Sequence, residues 1–535
     1  MRRIFALLVG AVAGLGAPAH ANDEVYAAWT QVLGSAANGA DVSGFVDLNL
    51  SLRVVITTDP DAACPQFAAR ITRGSVTRTE ALRFDKRTNS PDAASRHPSP
   101  HTKFPVIVCE TTPPADATSI ALVKSVTDDT TAITFSQSQG KPVVLAGAAS
   151  VGASGPPTFV AFGDTGCRGF RSHRGVQDCD SANMSDKNIT QFMFKKVTEL
   201  AAAERPEFVV HLGDYRYDDE RKQKTMDMWD SDFFERVRLG LLAQAPWVFV
   251  RGNHEDCSLA GLGWFYFFAP SEGNCSGTGM SDTFYFDVAD RSAGMQDPHR
   301  FIVIDTTASW GSHSNRHQAA MTDMAAAVTA ANTVNWGAAG PSAWFLMHKP
   351  LWAVDDYPNP PAQADPFTGS LLRAVMSRNG PAACKAYDHT TCGLKAVLAA
   401  HLHIFQNAIT PQAALPQQIV VGNSGVRMDP TIKSGRIDDR YVFEGCTQGV
   451  DPLGFGTGRM QTVVLNAQGR DDVRDANGYV TSRIDNKSFG FVHFTRDTSV
   501  VPSGWAGVAH FTGRPSQPLK TLADLGTGYV ACEHN

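Results

Sequence analysis

Through the middle of the chain, short and largely apolar runs recur, and each is soon followed by polar residues. Thr158-Phe159-Val160-Ala161-Phe162 stops at Gly163-Asp164, Phe208-Val209-Val210-His211-Leu212 at Gly213-Asp214, and Trp247-Val248-Phe249-Val250 just before Gly252-Asn253-His254. Trp344-Phe345-Leu346-Met347 runs directly into His348. Runs of this length without polar alternation predict strands buried on both faces. Between the first two, Asn188–Glu204 carries apolar residues at helical spacing. Strands alternating with helices predict a layered α/β domain. In such sheets the residue just past a strand lies at the carboxyl edge, where ligands bind.

Residues 22–155 read differently. Short β-rich runs such as Leu52–Thr58, Phe104–Val108 and Thr131–Phe135 are separated by Pro, Gly, Asp and Ser clusters, which predicts a β-sandwich of about seven strands. Ala148–Pro157, small residues with Gly and a Pro pair, reads as the linker. Ahead of both, Met1-Arg2-Arg3, an apolar stretch from Ile4 to Gly16 and Ala19-His20-Ala21 have the order of a signal peptide cleaved after Ala21. That stretch is shorter than the roughly 18–20 apolar residues a spanning helix needs. The expected organisation is therefore a signal peptide over 1–21, a β-sandwich over 22–155 and an α/β domain over 156–535, in a secreted or periplasmic protein without stable membrane insertion.

Composition narrows the function classes. In 535 residues, 43% are hydrophobic and 19% charged, which suits a folded protein with a large core and excludes a disordered chain. Lys and Arg number 47 against 53 Asp and Glu, a net charge of −6, so no basic footprint for nucleic acid is present. The ten cysteines are an even number in a chain with an export signal, which favours disulfides. Cys167/Cys179, Cys257/Cys275 and Cys384/Cys392 are the close couples, with Cys64, Cys109, Cys446 and Cys532 left over. No C-x-x-C pair points to a structural zinc site. Asn188 and Asn274 begin glycosylation sequons, usable in a host that glycosylates.

Five strand-end clusters carry the candidate chemistry: Asp164-Thr165-Gly166, Asp214 with Tyr217, Asn253-His254-Glu255, His348, and His401-Leu402-His403. Singly, each is an ordinary turn or core residue. Together they give seven oxygen and nitrogen donors, Asp164, Asp214, Tyr217, Asn253, His348, His401 and His403, too many for one four-coordinate zinc. Two ions sharing a carboxylate, about 3.5–4 Å apart, fit the set and suit in-line displacement at phosphorus. Carboxylate, imidazole and phenolate favour Fe, Zn or Mn over Mg, Ca or Cu(I).

This series resembles the calcineurin-like metallophosphoesterases, and within them the purple acid phosphatases, whose motifs run D-x-G, G-D-x-x-Y, G-N-H-[ED], V-x-x-H and G-H-x-H. The tyrosine of Gly213-Asp214-Tyr215-Arg216-Tyr217 and the absence of a histidine after Asp164 match the purple branch. Phe345 and Ala400 stand where that pattern has Val and Gly. The resemblance spans roughly 156–500 and implies a layered αββα metallophosphoesterase domain preceded by an N-terminal β-sandwich. It assigns Asp164, Tyr217 and His403 to Fe(III), Asn253, His348 and His401 to a divalent Zn, Fe or Mn, and Asp214 to both. It also makes His254 the acid that protonates the leaving alkoxide, a role open to a histidine beside such ions. The alternative for His254 is a structural hydrogen bond to Asp164 or Asp214.

The implied activity is hydrolysis of small-molecule phosphomonoesters by a metal-bound hydroxide, an acid phosphatase-like reaction. A phosphodiesterase or nucleotide pyrophosphatase on the same site is the alternative enzyme, and a non-catalytic secreted binding protein with a structural metal site the alternative of another class. His313, His317, Asp355, Asp356 and Tyr357 lie in loops that either reach over the site or are merely solvated. Arg251 and Glu255 are supporting or surface candidates.

Overall fold

The computed structural model describes residues 25–37, 46–88, 104–136, 138, 140–168, 177–179, 192–217, 226–271, 273, 275, 279–294, 296–307, 322–323, 325–327, 330–331, 342–350, 394–409, 416–428, 436–437, 440–443, 462–467, 470–474, 480–485, 488–500, 503–519 and 521. The signal-peptide stretch, His313, His317, Asp355, Asp356, Tyr357, Asn188, Asn274, and Cys384, Cys392, Cys446 and Cys532 lie outside the described residues.

Two large sheets face one another. In the first, Thr158–Phe162, Phe208–His211 and Trp247–Phe249 are parallel neighbours. Gly490–Arg496 and Trp505–Phe511 continue that sheet antiparallel beyond Thr158–Phe162. In the second, Gln296–Ile304, Ala343–Met347, Leu394–Ala399 and Gln417–Val421 run parallel in that spatial order. Thr158–Phe162, Trp247–Phe249 and Ala343–Met347 are almost entirely apolar, which follows from burial on both faces. Phe159, Val210 and Val248 of the first sheet meet Phe301, Trp344 and Leu398 of the second in one core. On the other face of the first sheet, Val160, Phe162, Val209 and Trp247 pack against Phe194 and Val197 of the helix Phe194–Ala203 and against Phe233, Trp264 and Phe268. This is the layered α/β arrangement expected from the sequence.

The strand-rich N-terminal region also packs as two β layers, and one of them is an extension of the first sheet. Val25–Val32 runs parallel to Trp247–Phe249, with Gln31 opposite Trp247, and Leu50–Ile56 and Ile107–Thr111 follow it outward. The second layer consists of Ala68–Arg73, Val76–Ala81, Ser119–Val123 and Val144–Ala146. Phe67, Ile71, Ile120 and Leu145 of that layer close a core over Val25, Leu52, Val54 and Ile56. Thr131–Phe135 makes only isolated bridges. In the linker stretch, Ala148 and Val151 are buried in the core between the two large sheets.

Arg53 fastens the regions together. Fully buried, it donates to Gln31 Oε1 at 2.7 Å and to the carbonyls of Phe267 at 2.7 Å and Ala269 at 2.8 Å, and pairs with Glu110 at 3.2 Å. Disulfides join Cys64 to Cys109, Cys167 to Cys179 and Cys257 to Cys275. Among the described residues, no helix is long and apolar enough to cross a membrane.

Candidate metal centre

The strand ends put all seven predicted donors at the carboxyl edges of the two sheets. Asp164, Asp214 with Tyr217, and Asn253 follow the three parallel strands of the first sheet, and His348, His401 and His403 follow two parallel strands of the second. Among the described residues, four non-glycine residues have left-handed backbones, and three of them are Asp164 (φ 55°), Asp214 (φ 56°) and His401 (φ 71°). Such a conformation costs on the order of 1–3 kcal/mol at each position and persists where surrounding structure enforces it. Here it turns each side chain back over the sheet edge.

The donors form two groups. Ligand atoms of Asp214, His348 and His401 all lie within 4.8 Å of one another. His348 Nδ1 donates to the Leu212 carbonyl at 2.8 Å, which leaves Nε2 facing Asp214 Oδ2 at 3.2 Å and Asn253 Oδ1 at 3.0 Å. A backbone carbonyl holding one imidazole nitrogen so that the other offers its lone pair is the usual support of a metal ligand. In the second group, Asp164 Oδ1 accepts from the Tyr217 hydroxyl and lies 3.5 Å from His403 Nε2. Asp164 Oδ2 accepts from the His401 backbone N–H at 2.7 Å, tying the two groups together.

Charge follows from burial and proximity. Burial opposes ionisation of Asp214, yet His348 and His254 hold its carboxyl well below the usual carboxylate range. Burial, then Asp164 and Asp214, push the Tyr217 phenol well above its ordinary value. Burial, with His348 beside it, takes His401 well below the normal imidazole range and keeps its ring neutral. Two buried carboxylates, Asp164 and Asp214, beside the neutral His401 fit cations placed between them.

His254 stands at the open side. Its backbone N–H donates to Asp214 Oδ1 at 2.9 Å, its Nε2 lies 4.0 Å from Asp214 Oδ2, and its ring sits 4.3 Å from that of Tyr217. Its side chain keeps 14% of its exposure while that of Asp214 keeps 1%.

Several residues that shape this site were not singled out from the sequence, or only as supports. Glu255 is fully buried, and its two oxygens accept from the backbone N–H groups of Tyr215 at 3.0 Å, Asp214 at 3.0 Å and Gly252 at 3.1 Å. Burial, then the neighbouring Asp214, push its pKa well above the usual carboxylate value. Arg251 is buried as well, donating to the Glu255 carbonyl at 3.0 Å and pairing with Asp305 at 3.1 Å. His211 accepts the Gly213 N–H on Nδ1 at 3.1 Å, so its Nε2 donates to the Thr165 hydroxyl at 2.7 Å. One neutral ring thereby joins the loops that carry Asp164 and Asp214. The Arg168 guanidinium lies 4.8 Å from the Tyr217 ring centre and brings a fixed positive charge to the site.

Two glycines are dictated by these close approaches. Gly213 has φ 99°, and a Cβ on Gly252 would stand 2.1 Å from Asp214 Oδ1. Of these supporting residues only Glu255 lies inside a strand-end cluster, and Arg251, His211 and Arg168 lie beside one.

Residues 157–405 match the family model described as calcineurin-like phosphoesterase, in agreement with the motif resemblance. No curated protein matches the chain. Among solved structures, the chain is similar to a purple acid phosphatase from yellow lupin (Lupinus luteus) seeds, with a TM-score of 0.49 and 12% identity over 95% of this chain and 77% of that one. It is also similar to a dimetal phosphatase from Danio rerio, with a TM-score of 0.32 and 12% identity over 68% of this chain and 99% of that one.

Proposed function

We propose that this chain, with its calcineurin-like phosphoesterase domain over residues 157–405, is an exported two-metal hydrolase of phosphomonoesters, of the purple acid phosphatase type. The observation that carries the reading is the sorting of the donors into two linked groups, Asp214, His348 and His401 within 4.8 Å and Asp164 between Tyr217 and His403. In this reading Asp164, Tyr217 and His403 hold a ferric ion, Asn253, His348 and His401 hold a divalent ion, and Asp214 serves both. Bound ions of this kind lower the pKa of water and neutralise charge at phosphorus. The protein's own part is orientation and proton supply. The Leu212 carbonyl fixes the tautomer of His348, Glu255 fixes the Asp214 backbone, and His254, on the open side, gives a proton to the leaving oxygen. Export to an oxidising compartment accords with the three disulfides.

The test is chelation followed by reconstitution, assayed on nitrophenyl phosphate and its bis-ester. Activity should vanish on metal removal, return with iron plus a divalent ion, and be greater on the monoester. Full activity in metal-free protein would refute the proposal, and preference for the bis-ester would make the chain a phosphodiesterase.

Tyr217 gives an independent readout. A phenolate on ferric iron absorbs in the visible by charge transfer, so the iron-loaded protein should be violet and Tyr217→Phe should bleach it with the fold intact. A colourless iron-loaded wild type would remove Tyr217 from the ligand set.

A further inference from the structure

Away from the catalytic edge, a second cluster of donors is assembled from three distant parts of the sequence. Gly490–Arg496 and Trp505–Phe511 are antiparallel neighbours, with His510 opposite Phe491 and His493 opposite Val508. His493 and His510 therefore sit diagonally on the same sheet face, the one covered by the helix Phe194–Ala203. Glu204, at the end of that helix, descends onto the pair. Its Oε2 lies 3.5 Å from His493 Nδ1 and its Oε1 3.5 Å from His510 Nδ1. One ligand atom from each of the three residues lies within 4.8 Å of the others.

Both carboxylate–imidazole separations exceed the roughly 2.7–3.2 Å of an N–H···O hydrogen bond. They match the edge of a coordination tetrahedron, since ligands about 2.0–2.2 Å from a zinc ion stand roughly 3.4 Å apart. The rings are held in place. His510 stacks on Phe491 with 4.8 Å between ring centres and 4° between planes, and His493 is largely buried, with no hydrogen-bond partner on Nε2. Burial shifts both imidazoles below their ordinary pKa, so the neutral, ligating form prevails near pH 7. Side-chain exposures of 18%, 20% and 33% for His493, His510 and Glu204 leave room for water to complete a coordination shell.

We propose that Glu204, His493 and His510 form a separate binding site for a divalent first-row transition ion, zinc or a close neighbour in the series. Two imidazoles and one carboxylate are the donor mixture such ions prefer, and calcium and magnesium do not. The site is not part of the catalytic centre. His493 is paired with Val160, four residues before Asp164, which is about 13 Å along a strand at roughly 3.3 Å per residue. An ion there would clamp the end of the helix Phe194–Ala203 to Gly490–Arg496, the antiparallel neighbour of Thr158–Phe162, and to Trp505–Phe511 beyond it.

Equilibrium dialysis of the full-length protein against micromolar zinc chloride tests this, with zinc counted by elemental analysis. The wild type should hold one zinc per chain more than His510→Ala or Glu204→Gln, while all three hydrolyse nitrophenyl phosphate equally. This difference is independent of whether the catalytic ligands are correctly assigned. Equal zinc content in the three proteins would overturn the proposal. Should the variants misfold, carbethoxylation of the wild type with diethyl pyrocarbonate, read by peptide mass, supplies the second measurement. Zinc should protect His510, and modification at the same rate with and without zinc would count against the site.

Discussion

Replacing His254 with alanine should slow hydrolysis of alkyl phosphates about 10²–10⁴-fold, the usual contribution of a positioned general acid. An alkyl ester leaves as a strongly basic alkoxide and needs a proton as its bond to phosphorus breaks. A nitrophenyl ester leaves as a stabilised phenolate and needs it far less, so its turnover should fall much less. The expectation rests on placement: His254 is anchored by its backbone N–H to Asp214 Oδ1 at 2.9 Å, and its imidazole stays partly exposed, 4.0 Å from the other Asp214 oxygen. The comparison must be made at full metal content, because the imidazole being removed also lies 4.0 Å from Asp214 Oδ2. Equal losses on the two substrates would make His254 a positioning residue, and the acid would then be sought at His313 or His317.

Glu255→Ala should be the most damaging single change to the site's framework. The carboxylate satisfies three buried backbone N–H groups, those of Asp214, Tyr215 and Gly252, and each stranded donor costs about 1–3 kcal/mol. A stability loss of roughly 3–5 kcal/mol in urea unfolding is expected, in the range seen for broken buried polar networks. Because Asp214 is held in a left-handed backbone conformation by this contact, metal affinity at the paired site should also fall about 10–100-fold, as for other residues that orient ligands. Glu255→Gln restores the volume but turns an amide N–H₂ toward the same donors, so it should recover only part of either loss. A Glu255→Ala protein with unchanged unfolding midpoint and metal content would show that the loop holds its shape without the carboxylate.

The donors were legible in the sequence because a strand buried on both faces is written as an unbroken apolar run, and the first polar residue after it is conspicuous. Asp164, Asp214, His348 and His401 stand out this way, and Asn253 follows two residues after the Arg251 that ends its run. Glu255 does not, since a carboxylate beside a ligand looks the same in sequence whether it faces solvent or three backbone donors. His211 reads as one more position in a buried strand, and its tautomer depends on the Gly213 N–H and on Thr165, which only the fold brings to it. The place of Val25–Val32 was likewise hidden. Val25, Tyr26, Trp29, Thr30 and Val32 suit a strand, but nothing local shows that its parallel neighbour is Trp247–Phe249, far along the chain. The cluster of Glu204, His493 and His510 has no spacing to detect, because a helix end and the diagonal of an antiparallel pair set it.

The first sheet joins Val25–Val32 to Trp247–Phe249 and Gly490–Arg496 to Thr158–Phe162, which bears on how the chain reaches its native state. The strand that ends in Asp164 is walled on one side by a segment more than 300 residues later in the sequence, so its pairing cannot finish while that segment is still being synthesised. Contacts so remote in sequence close late and make folding slow. Until they close, Thr158–Phe162 presents an open and largely apolar edge to any other chain nearby. Production in a heterologous host should therefore be limited by the crowding of half-finished chains, and slowing translation or lowering temperature should raise the yield more than adding metal does.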